Sequence, residues 1–255
     1  MDKLAFNAAA TIDEQRLARQ VLAHEMANVN TTGFKKSFEV SLKAYKADGN
    51  GFDSRFQPQI FHNDAIPMVQ GALMATGRDL DIAMGDSTVL GVTSESGALA
   101  FTRRGDLALS PSGVLQTATG NTVKAEGGGV ITVPAGFSIN IANDGQVYAT
   151  DPAQPGVPQP VQIGQLLLRD ASQTPLIRTK DGLFQPKDLP AGSDFANGTK
   201  PVSITSKALE SSNVNAMETL VKLIEQSRSF ETQVRTIKES QTVDEAGASM
   251  MKLGS

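Results

Sequence analysis

The chain has 255 residues, 23 Lys and Arg against 27 Asp and Glu, a formal net charge of -4, no Cys, no Trp and two His. These counts exclude disulfide frameworks, zinc ribbons, iron–sulfur clusters, cysteine nucleophiles and three-His metal centres, and the mild acidity fits neither a nucleic-acid binder nor a disordered acidic tail. Hydrophobic residues make up 40% of the chain and aromatic ones 5%, so one or two domains with an aliphatic core are expected.

The first zone, residues 1–45, holds no Pro and a single Gly, Gly33. Leu17, Val21, Leu22, Met26 and Val29 recur at helical spacing and predict an amphipathic helix over about 3–28. Asn28 to Gly33 ends it, because Asn and Gly tolerate the left-handed conformation at a helix C-terminus. A second short helix is expected over 37–45. Asp13, Glu14, Arg16 and Arg19 stand where a signal peptide would be apolar, so no cleaved secretory signal is expected. No window of eighteen uninterrupted apolar residues occurs, and no membrane span is expected.

An extended connecting segment, 46–75, leads into a second zone that reads as an all-β domain over 76–205. Eleven of the twelve Pro lie between 58 and 190, and Gly is frequent. Ile131 to Val133, Ile139 to Ile141 and Gln165 to Leu168 read as strands. Pro111-Ser112-Gly113, Asn143-Asp144-Gly145 and Lys180-Asp181-Gly182 read as hairpin turns.

The third zone, 206–255, has no Pro and no Gly before Gly247. Asn215 fits a helix cap with Glu218 three residues on. Ala216, Leu220, Leu223, Ser227, Phe230, Val234, Ile237 and Gln241 alternate by four and three, which predicts a helix of coiled-coil type about 35 residues long. Glu218 with Lys222 and Glu231 with Arg235 add opposite charges four apart. The expected fold is therefore mixed: N- and C-terminal helices pairing in a coiled-coil-like layer, with a central all-β domain. Neither helix can bury its stripe on a compact β domain along its full length, which points to an interaction protein.

Candidate sites are few. Asp79 and Asp81 stand two apart and would face one side of a strand, but no third ligand is near, so a structural role is expected. Gly127-Gly128-Gly129 matches no phosphate-binding pattern and reads as a loop. His24 reads as part of a packed interface, and neither His24 nor His62 completes a serine triad, since no G-x-S-x-G is present. Lys35-Lys36 and Arg103-Arg104 are too short to bind nucleic acid and read as a solvated face or an intersubunit contact. Met250 and Met251 read as helix packing. No cofactor and no metal are expected.

Three segments resemble the flagellar basal-body rod and hook family. Met26-Ala27-Asn28-Val29-Asn30-Thr31-Thr32-Gly33-Phe34-Lys35 is similar to its L-A-N-x-x-T-x-G-F-K signature, with Met for Leu. Thr76 to Met84 resembles the segment that opens the central domain, and its wording, with the chain length, points to the proximal-rod branch. Ser212-Asn213-Val214-Asn215, then Leu223-Ile224 and Arg228-Ser229-Phe230-Glu231, resemble the last-helix pattern. After Met84 the chain lacks both Phe of the family's G-x-G-F-F-x-V run.

The resemblance implies a structural, non-enzymatic protein. It would be exported through the flagellar type III apparatus and assembled with copies of itself and other rod proteins into an axial tube across the periplasm. Its terminal helices would form the inner layer, and the tube would carry torque to the hook. Leu220, Leu223, Phe230, Val234 and Ile237 are expected to form the seam of the last helix, faced by Leu17, Val21, Leu22 and Met26. Phe34 would anchor the turn after Gly33. Asn28, Asn213 and Asn215 join the expected subunit interface through the signatures. The alternatives are a distal-rod or hook relative, or a periplasmic carbohydrate-acting enzyme using Asp79 and Asp81 or Asp181 and Asp188 as its carboxylate pair.

Overall fold

A computed structural model describes residues 2–36, 41–46, 56–61, 65–154 and 159–252. The chain divides into two compact units. One, the helical unit, comprises Met1–Ala27, Phe38–Asn63 and Asn215–Ser255; the other, the β unit, comprises Asn28–Ser37 and Asp64–Val214.

The helical unit contains helix α1, Asp2–Ala27, and helix α2, Ala216–Lys252. The side-chain oxygen of Asn215 caps α2, accepting from the N–H groups of Met217 (3.1 Å) and Glu218 (3.3 Å). Glu218 accepts from Lys222 one turn on, at 2.6 Å. The helix expected over 37–45 is not formed where the chain is described. Ser41–Lys46 is instead a strand paired antiparallel with Phe56–Phe61, while 37–40 lie outside the described residues. The reason is pairing: an isolated nine-residue helix is marginal, whereas this segment finds a six-residue partner whose ladder supplies its backbone hydrogen bonds.

The coiled-coil-like layer is also corrected. α1 and α2 pack together, but not through two apolar positions per heptad. On α2, Thr219, Gln226, Gln233 and Ser240 are seven residues apart, all polar, and turned away from solvent. Leu223, Val234 and Ile237 are the sheltered large apolar residues among them, while Leu220 (42% exposed) and Phe230 (38%) stay open. The matching stripe of α1 is Gln15, Ala18, Leu22 and Glu25, and Leu17 is 39% exposed. Gln15 Nε2 donates to Ser229 Oγ at 2.7 Å, and Arg19 Nη2 to Ser227 Oγ at 3.1 Å. The shared face is therefore held largely by polar contacts.

The β unit is built on a five-stranded sheet in the order Leu168–Asp170, Thr88–Thr93, Leu99–Thr102, Phe184–Pro186, Leu176–Arg178, with every pairing antiparallel. Val161–Gln165, Gln146–Thr150 and Ser138–Ile141 form a three-stranded sheet. Three two-stranded ribbons complete the unit: Ile204–Ser206 with Ile82–Met84, Ala208–Glu210 with Leu73–Ala75, and Leu107–Leu109 with Leu115–Thr117.

All three expected turns close antiparallel pairs. Gly113, Gly145 and Gly182 each take a positive φ there, the left-handed geometry that a residue without Cβ adopts at little cost. Gln165 to Leu168 is not one strand but the crossing between two sheets. Ile131 and Val133 are buried, yet their segment makes only isolated bridges. Alternation along Thr88–Thr93 divides the core: Val89 packs with Ile66, Phe101, Leu176, Phe184 and Phe195, while Leu90 and Val92 join Ile82, Leu107, Leu115 and Ile141. Val89 and Leu90 are fully buried, so this strand is packed without the family's two Phe; Phe101 and Phe195 meet edge-to-face at 4.8 Å beside it.

Candidate functional site

The chain's polar chemistry converges in the β unit, where three sequence-distant side chains meet. Glu210 ends the strand Ala208–Glu210, Arg103 follows Leu99–Thr102, and Lys35 belongs to the coil after α1. The side chains of all three are 0% exposed. Lys35 Nζ donates to Glu210 Oε1 and, at 2.6 Å, to the carbonyl of Val69. Arg103 reaches Glu210 Oε2 through Nε (2.8 Å) and Nη2 (2.7 Å). Its other N–H groups donate to the carbonyls of Met84 (2.8 Å), Thr88 (3.1 Å) and Asp86. The N–H of Gly71 also donates to Glu210, at 2.8 Å. A buried guanidinium is stable only when its fork of donors is filled, and this one is. Burial, first, and the neighbouring Arg103 lower the Lys35 pKa from 10.5 to about 8, against the opposing pull of Glu210.

This cluster corrects the surface reading of both basic pairs. Lys35 and Arg103 are buried, while Lys36 is exposed and Arg104 turns to Asp106 with bonds of 2.7 and 2.8 Å. Doublets hid the arrangement, since adjacent residues in extended backbone point opposite ways. The sequence placed Lys35 at the end of the first family-like segment and Glu210 just before Ser212, but nothing in it singled out Arg103.

The two signatures dock on each other around the cluster. Gly33 N–H donates to the Glu210 carbonyl (2.8 Å), Asn213 N–H to the Phe34 carbonyl (3.2 Å), and Lys36 N–H to the Asn213 side chain (2.7 Å). Gly33 has φ +66°, and a Cβ there would lie 2.1 Å from the Arg103 carbonyl oxygen, so only glycine fits. Phe34 is buried within the β unit under the Arg178 guanidinium, 4.3 Å from the ring centroid. Arg178 also donates to the Lys35 carbonyl. Asn28 accepts from Thr31 with both its carbonyl and its side chain, each at 3.1 Å, closing the turn after α1.

The remaining expected site residues lie on the two helices. Val21, Leu22 and Met26 of α1 and Leu223, Val234 and Ile237 of α2 are half-buried; Leu17, Leu220 and Phe230 are exposed, as are Val221 and Ile224. Asn215 serves as the cap. A groove in the helical unit is lined by Ile12, Gln15, Arg16, Arg19, Gln226 and Phe230.

Of the alternative carboxylate pairs, Asp79 and Asp81 each face a basic side chain. Asp79 pairs with Lys207 at 3.0 Å, and Asp81 is buried 3.4 Å from Arg78 Nε. Gly127 to Gly129 form a tight turn closed by Ala125 N–H to the Gly129 carbonyl, at 2.9 Å. His24 is exposed on α1, and His62 lies outside the described residues. Met250 is exposed on α2, and nothing is described of the Met251 side chain. Among the described residues no group of three His, Cys, Asp or Glu could hold a metal ion, and no helix is long and apolar enough to cross a membrane.

Comparison with known proteins gives a consistent answer. Residues 205–250 match the model of the flagellar basal body rod FlgEFG protein C-terminal family, and residues 88–149 that of the flagellar hook protein FlgE/F/G D1 domain. The chain is 34% identical over 243 residues to flagellar basal-body rod protein FlgF of Salmonella typhimurium, covering 93% of each. It is 31% identical over 252 residues to FlgF of Escherichia coli, covering 97% of this chain and 96% of that one. FlgG of Buchnera aphidicola is 27% identical over 247 residues, with 90% and 92% covered. Identity above 30% across nearly the whole length, on a structure whose ordered signatures dock together, shows that the chain belongs to the flagellar basal-body rod protein family and is a FlgF-like structural component of the rod.

Proposed function

We propose that the chain polymerises through its two helices, with copies of itself and with other rod proteins, into an axial tube that transmits torque. The observation that carries this reading is the outward apolar surface of the helical unit: Leu17 on α1 and Leu220, Val221, Ile224 and Phe230 on α2. Exposed apolar residues clustered at helical spacing mark an association surface. Buried side-chain oxygens of Gln15, Gln226 and Gln233 have no hydrogen-bond partner among the described residues, which makes the α1–α2 face a weak one in isolation. A heterologous, non-closing contact repeated between subunits generates a filament.

The half-buried Val21, Leu22, Met26, Leu223, Val234 and Ile237 support that surface from beneath. Gly33, Phe34, Asn28, Asn213 and Asn215 shape the segments leading into it. The chain performs no catalysis. It leaves the cytoplasm unfolded through the flagellar export apparatus and works in the part of the basal body that crosses the periplasm. Its helices become fully ordered on assembly.

The test is Phe230→Ala in the full chain, expressed in cells that lack the parent protein. Its side chain is partly open in one chain, so the purified variant keeps the parent's circular dichroism. If assembly buries it fully, the loss per contact is about 3–5 kcal/mol, and swimming is lost. Normal swimming refutes the seam.

A further inference from the structure

Lys35 brings a second cation to a carboxylate that Arg103 already satisfies. Glu210 accepts from Arg103 Nε at 2.8 Å and forms an ion pair with its Nη2 at 2.7 Å, so its countercharge is complete without Lys35. The charged groups facing the Lys35 segment from the elements packed on it are Glu210, Arg103 and Arg178, the last bonded to the Lys35 carbonyl. Two buried cations thus share one buried anion, and water has no access to dilute the excess.

The segment that carries Lys35 is held outside any ladder. Residues 34–36 are coil, tied down by hydrogen bonds from Gly33, Lys36 and Asn213 and by Arg178 on the Lys35 carbonyl, beside the Phe34 ring. We propose that residues 28–36 form a pH-sensitive strap, docked on the β unit through the buried Lys35–Glu210–Arg103 cluster, that binds more tightly as the Lys35 ammonium gives up its proton. A neutral amine still donates to the Val69 carbonyl and to Glu210, so the docked geometry survives the loss of charge.

The sign follows from the two states. Docked, Lys35 titrates near 8; released into water, it returns to 10.5. Between those values the released form holds a proton that the docked form has shed, so docking strengthens as pH rises. Below about 8 both forms are protonated and the dependence vanishes.

Hydrogen exchange of the full chain, read by mass spectrometry and corrected for the intrinsic rate at each pH, tests this. Protection of the amides from Gly33 to Lys36 is expected to rise about tenfold from pH 7 to pH 9, one decade for the pH unit above the docked pKa. Amides of Thr88–Thr93 serve as the internal control and stay level. Lys35→Met is expected to keep the strap protected and to abolish the pH dependence. The proposal is overturned by a flat response in the parent chain, by an equal rise in Thr88–Thr93, by the same rise in Lys35→Met, or by an unprotected strap in that variant.

Discussion

Glu210→Gln removes the anion from the buried cluster while preserving shape. Glu210 accepts from Lys35, from Arg103 Nε and from Gly71, pairs with Arg103 Nη2, and its side chain is 0% exposed. The amide retains one acceptor oxygen but aims N–H donors at two cations. Lys35 and Arg103 then face each other without a countercharge. Breaking a buried pair in this way costs about 3–5 kcal/mol, a fifth or more of the roughly 5–15 kcal/mol that holds a domain together. Lys35→Met makes the opposite change, removing the surplus cation and leaving Arg103 with Glu210. The Lys35 pKa, lowered from 10.5 to about 8, corresponds to about 3 kcal/mol of charge penalty near neutral pH. Loss of the ammonium's bonds to Val69 and Glu210 offsets part of that gain. Lys35→Met is therefore expected to be neutral or more stable by about 1–2 kcal/mol. Urea unfolding of the full-length variants, followed by circular dichroism at strand and helix wavelengths, separates the two units. The reasoning is refuted if Glu210→Gln lies within about 1 kcal/mol of the parent, or if Lys35→Met loses as much as Glu210→Gln.

Two further substitutions probe backbone geometry. Gly33→Ala puts a methyl 2.1 Å from the Arg103 carbonyl oxygen at φ +66°, and the strain plus overlap should cost about 3 kcal/mol in the same urea assay; a loss under 1 kcal/mol contradicts the docked position of the strap. Lys207 holds φ +59° between the strands Ile204–Ser206 and Ala208–Glu210, so Lys207→Gly should stabilise the β unit by about 0.5–1 kcal/mol, the exposed ion pair with Asp79 contributing less than the relief of strain. A lower melting temperature for Lys207→Gly than for the parent would show that the ion pair dominates.

Local features were legible wherever the signal is local. The helix boundaries at Ala27 and Ala216, the Asn215 cap and the glycine turns at 113, 145 and 182 follow from periodicity, capping and φ preference, each confined to a few neighbouring residues. The stretch 37–45 was read as helix although Asp48-Gly49 and Asn50-Gly51, dipeptides of the hairpin type, stand between Ser41–Lys46 and its pairing partner, Phe56–Phe61; that signal was passed over. The heptad of α2 misled in a different way. Its apolar positions are real, but the face that packs on α1 within one chain is the neighbouring stripe, Thr219, Gln226, Gln233 and Ser240. Periodicity says that a stripe exists, not which partner receives it.

The sequence by itself determined the family, the two terminal helices, the turn-rich strand pattern between them and the absence of cysteine chemistry. These rest on residue identity and short spacing. Only the tertiary structure decided that Lys35 and Arg103 leave the surface to share Glu210, across separations of 175 and 107 residues. The physical reason is that burial of a charge is set by what surrounds it: Arg103 and Glu210 are tolerable inside because each meets the other from a distant part of the chain, and Lys35 is tolerable there because that carboxylate is already in place.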